Sequence, residues 1–77
     1  MSLLDYAAAL LDQPVELGDR FVPVGPFDRT YQVDAMFDHN GLPHARLVHT
    51  GRRDEVKVIC LPALRDARLW QRAAQRA

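Results

Sequence analysis

The chain predicts an α+β fold: an N-terminal helix packed on a small, strongly curved antiparallel sheet. Three observations carry that expectation. Residues 2–13 place apolar side chains at helical spacing. Tyr31 to Asp38 alternates apolar and polar residues and runs into Asn40-Gly41. Two further β-type runs follow, at His44–Thr50 and Val56–Leu61.

The helix over 2–13 opens with Ser2 and Asp5 at capping-box spacing, where the hydroxyl takes an orphan N–H and the carboxylate favours the positive helix end. Leu3, Ala7, Leu10 and Leu11 form its apolar stripe, and Pro14 ends it by biasing Gln13 away from helical geometry. Pro14, Gly18, Pro23, Gly25 and Pro26 then punctuate the chain, leaving room for one short strand near 20–24. Pro23, which lacks a ladder donor, predicts an edge or a bulge for that strand.

The clearest strand is Tyr31–Asp38, with Tyr31, Val33, Ala35 and Phe37 expected inward. Asn40-Gly41 suits a type I′ hairpin turn, which needs positive φ at both central residues. The returning strand, 44–50, turns Ala45 and Leu47 inward and Arg46 outward. A third strand puts Val56, Val58 and Cys60 on one face, opposite Lys57. Residues 31–61 are therefore expected to form a three-stranded meander.

The tail 62–76 supports two readings. As a helix it stacks Ala63, Ala67, Trp70 and Ala74 on one face and Arg65, Arg68, Arg72 and Arg76 on the other, with Leu69 stranded among the arginines. As a 3₁₀ turn followed by a last strand beginning at Leu69, it completes the element order of an SH3-like small barrel, an analogy of fold that does not fix function.

A chain of 77 residues is expected to form a single small domain, 1–77. The lone Cys60 excludes an internal disulfide and favours a reducing, cytoplasmic setting. The N-terminus has no basic n-region, and no apolar run approaches the ~20 residues that span a bilayer, so no membrane partner is expected.

Charge is sorted along the chain. Up to Ala45 seven acidic residues face two basic ones, a net of −5; from Arg46 eight basic residues face three acidic ones, a net of +5. Arg52, Arg53, Arg65, Arg68, Arg72 and Arg76, with Leu69 as an apolar centre, are the candidate partner-binding residues. A plainer reading makes them a solvated face or pairs them with Asp5, Asp12 and Glu16. The acidic half repels a long polyanion and tolerates a compact acidic patch. A larger protein with an acidic surface is therefore the expected partner, ahead of nucleic acid.

Nothing in the sequence points to a reaction. His39, His44 and His49 cluster near Asp34, Asp38 and Cys60, but they lack CxxC or HxxxH spacing, and His44 and His49 fall on opposite strand faces. Asp34 and Asp38 stand about 13 Å apart on a regular strand, too far for shared acid–base work. Cys60, with His49 as its nearest candidate base, lies in an apolar run that suits an inert buried thiol. Neither a metal nor a cofactor is expected. The chain reads as a non-enzymatic binding module or accessory protein; the alternative is a small nucleic-acid-binding barrel using the hairpin and tail arginines.

Overall fold

The computed structural model describes residues 14–26 and 28–73. These form five antiparallel strands and one helical turn: β1 (Arg20–Pro23), β2 (Tyr31–His39), β3 (Leu42–His49), β4 (Val56–Cys60), α1 (Leu61–Leu64) and β5 (Trp70–Arg72). They make a single sheet in the order β4-β3-β2-β1-β5. The expected α+β class is thus corrected: the described chain is mostly antiparallel sheet, with four helical residues. The helix expected over 2–13 lies outside the described residues, as do Phe27, Ala74 and Arg76.

The meander is β2–β3–β4. Its first turn is Asn40-Gly41, with φ of 53° and 79°, the positive values that a two-residue hairpin needs to match strand twist. The strand near 20–24 is β1. It is not an edge strand, because β5 pairs along its other side. Pro23 is tolerated there by phase. Val24 donates its N–H to the Leu69 carbonyl and Ala73 donates to Arg20, so Phe21 and Pro23 point their backbone nitrogens away from β5. On that side β2 pairs only with Arg20 and Phe21, and Pro23 has no strand to leave unserved.

The tail resolves as the turn-and-strand alternative. Pro62 sits in the first turn of α1, where its missing N–H costs nothing. The chain then turns over 65–69 and pairs with β1 through Trp70↔Pro23, Gln71↔Val22 and Arg72↔Phe21. Among the described residues Ala63, Ala67 and Trp70 do not share a helical face, because the helix ends at Leu64 and Trp70 opens β5. Ala and Arg favour helix only as isolated residues; the open side of β1 offers backbone partners and a core seat for Trp70, and this tertiary pairing wins.

The core is Val15, Phe21, Tyr31, Val33, Ala45, Leu47 and Leu64, with Ile59, Leu61 and Trp70 packed against it. Tyr31 is its centre, edge-on to Trp70 and to His49 at 5.8 and 5.4 Å between ring centroids. Its buried hydroxyl has no hydrogen-bond partner among the described residues. Arg29 stands close enough for the Tyr31 hydroxyl, and then Glu55, to raise its guanidinium pKa, yet no hydrogen bond of acceptable geometry reaches that hydroxyl.

The expected inward row holds only halfway along β2. Val33 pairs with Leu47, but Ala35 pairs with Arg46, so Asp34 is an extra residue in a β-bulge. One extra residue exchanges the two faces. Beyond the bulge Met36 lies opposite Ala45 on the core side, while Ala35 and Phe37 turn to the outer face. β4 keeps its expected grouping, with Val56, Val58 and Cys60 on one face opposite Lys57, and the register shows which face is which. Lys57 lies opposite buried Leu47, its ammonium 5.9 Å from the Tyr31 ring centroid, and Val56, Val58 and Cys60 face outward.

Candidate functional site

The bulge and the β4 register together place apolar side chains on the outer face of the meander. Three cross-strand rows make the surface: Gln32–Val48–Val56, Ala35–Arg46–Val58 and Phe37–His44–Cys60, with Leu42 beside the hairpin turn. Phe37, Leu42, Val56 and Val58 are 42–52% exposed, so the stripe is open rather than roofed by the described chain. Phe37 stacks on the His44 ring, with centroids 5.9 Å apart and planes 17° from parallel.

A fixed ion pair sits at the centre of this face. Arg46 donates from Nε and Nη2 to the two Asp34 oxygens, at 2.8 and 3.1 Å. Those bonds hold the Asp34 carboxyl below its usual pKa and the Arg46 guanidinium above its own. The bulge therefore supplies the carboxylate that locks Arg46 flat, and the charge at the centre cancels.

Beside the pair, a shallow cavity of about 160 Å³ opens between β1, β2 and the β3–β4 turn. Arg20 reaches it from β1, Gln32 from β2 and Arg53 from the turn, beside a wall that includes Val48. Among the described residues neither Arg20 nor Arg53 has an ion pair. Arg52 and Arg53 are both exposed, so the turn arginines lie at the margin of the apolar face.

The described tail residues do not line up on one helical face. Arg68 is held by Asp66, which accepts from its Nη2 at 2.8 Å, its Nε at 3.1 Å and its backbone N–H at 3.0 Å. That set depresses the Asp66 carboxyl to about 2, the side-chain bonds contributing most. Arg72 turns inward: it donates to Asp19 Oδ2 and to the Pro14 carbonyl, both at 2.9 Å, and lies 5.0 Å over the Phe21 ring. Leu69 is 51% exposed in the turn before β5, and Arg65 follows α1 at the surface. Among the described residues the expected helical stripe around Leu69 does not form, since Arg68 is held in a surface pair and Arg72 turns inward; Arg76 lies outside the described residues.

The edges of the sheet are guarded. Both edge strands carry an inward cation, Lys57 on β4 and Arg72 on β5, a device that disfavours addition of a further strand. The open face is thus a better contact surface than either edge.

The histidines and Cys60 are spread out. Cys60 pairs with His44 on the outer face, while His49 lies opposite Tyr31, accepts the Gly51 N–H at Nδ1 and reaches Glu55 at 4.0 Å. His39 and His44 meet edge-on at 5.6 Å. Among the described residues no three His, Cys, Asp or Glu side chains gather as a ligand set, and no helix is long and apolar enough to cross a membrane.

Sequence reasoning missed the outer face because the alternation of β2 suggests no bulge, and the shared face of Val56, Val58 and Cys60 carries no sign of pointing outward. The available signal was Lys57, whose charge at the centre of an apolar run fixes the phase only when Leu47 is known to lie opposite. Searches against protein-family models, curated proteins and solved structures returned no match.

Proposed function

We propose that this protein is a non-enzymatic binding module that docks on an acidic protein surface through the outer face of its meander. The observation that carries the reading is the half-exposed row of Phe37, Leu42, Val56 and Val58, bordered by Arg20, Arg52 and Arg53. An apolar centre with a charged rim has the composition of a docking surface. The two-pronged Arg46–Asp34 pair places a matched charge at the centre of the face, so docking there buries no unpaired charge. A cytoplasmic location fits the single free thiol of Cys60.

One observation favours nucleic acid as a second reading. Exposed Phe37, stacked on the half-buried His44 ring, offers a base a flat aromatic surface on the outer face. Salt dependence separates the two. Docking on protein predicts weak binding to random-sequence DNA or RNA at physiological salt. Tight binding that falls steeply and linearly on a log–log salt plot overturns it in favour of nucleic acid.

A further inference from the structure

We infer that the cavity between Arg20 and Arg53 is a carboxylate site, which accepts an acidic side chain of the docked partner. This deepens the docking reading and rests on it for the source of the carboxylate. Two guanidinium groups without ion pairs among the described residues border one concavity of about 160 Å³. Gln32 adds an amide donor and Thr50 a hydroxyl. Arginine forks match planar carboxylates in two-pronged fashion.

The remaining charge decides the ligand class. Asp34 also borders the cavity, but its charge is already paired with Arg46, and no ion pair joins it to Arg20 or Arg53. It still penalises a high density of negative charge. A single carboxylate suffers less from it than a phosphate dianion. Val48 sets an apolar wall, continuous across the ladder with Val56. A glutamate side chain places methylenes on that wall and its head between the guanidinium groups; a bare phosphate leaves the wall unused. Arg20 and Arg53 arise from distant points of the chain and border the same cavity only because β1 pairs with β2 and the β3–β4 turn folds beside them.

The test uses isotope-labelled protein and N-acetyl-glutamate amide, with inorganic phosphate and sodium chloride at matched ionic strength. Saturable shifts of the Arg20 and Arg53 Nε–H and Gln32 side-chain amide signals are expected with the glutamate probe. Arg53→Gln should weaken that binding at least about fivefold at an unchanged melting temperature, because Arg53 is an exposed turn residue. Shifts that chloride reproduces overturn the site, and tighter binding of phosphate overturns the carboxylate class. Val58→Asp lies outside the cavity and should leave the titration intact. Failure of the docking face therefore leaves these shifts in place, whereas failure of the carboxylate site removes them.

Discussion

Replacing Arg72 with alanine removes at least three contacts at once. The first is the ion pair with Asp19, whose side chains are 30% and 13% exposed, between a surface pair and a buried one. Such a pair contributes about 1 kcal/mol. The second is the charged hydrogen bond to the Pro14 carbonyl, another ~1 kcal/mol after solvent competition. The third is the guanidinium over Phe21, about 0.5 kcal/mol at a partly exposed site. The three share one side chain and do not add fully, and Asp19 keeps the Glu16 N–H as a donor. A net loss of about 2 kcal/mol remains, which lowers the melting temperature of a domain this size by roughly 8–16 °C. Arg68→Ala is the control. Its partner Asp66 keeps the backbone N–H of residue 68, and its own side chain is 89% exposed, so melting should hardly change. Thermal unfolding followed by circular dichroism reads both. Equal melting of the two variants would refute the inward clamp and return Arg72 to the solvated surface that sequence reasoning gave it.

Three further outcomes follow from the geometry. Asp66 should titrate near pH 2 by NMR, and Arg68→Ala should move it toward the usual 3.8; because its folded pKa is depressed, its contribution is present above the unfolded value and fades as pH falls through about 2. An unmoved titration in the variant would contradict the assigned pair. Tyr31→Phe should melt at or above the parent, since it removes a buried hydroxyl without a partner among the described residues; a loss above about 1 kcal/mol would reveal a bond to that hydroxyl. Gly41→Ala should cost about 1 kcal/mol by chemical denaturation, from the positive φ of 79° alone, as an added Cβ meets nothing within 4 Å. No loss would argue against the two-residue turn.

Local signals in the sequence were read well. Asn40-Gly41 defines its turn by backbone chemistry within two residues, and the three β runs around it need only each other. What failed depended on distant partners. Asp34 is a bulge only in relation to β3, where Arg46 waits to pair with it. The direction of Val56 and Val58 follows from Lys57 lying opposite Leu47, a matter of register and not of composition. Trp70–Arg72 has the residues of a helix and becomes a strand because β1 has a free side. Leu69, out of place in the helical arginine stripe, was the residue that argued for this outcome. The candidate site inherits those errors. Arg52 and Arg53 were legible as exposed turn residues, but the apolar face beside them exists only once the bulge and the β4 register are known, and Arg20 joins it only through the pairing of β1 with β2.

The most direct measurement of the central claim is parallel affinity capture with three versions of the protein as bait, from the cell in which it occurs. The parent, Val58→Asp and Leu69→Asp each replace at most one exposed side chain, at 52% and 51% exposure for the two variants, so all three should remain folded by circular dichroism. If the outer face of the meander is the docking surface, Val58→Asp loses the proteins that the parent retains, and Leu69→Asp retains them. Retention by Val58→Asp with loss in Leu69→Asp would contradict the account and move the contact to the turn before β5.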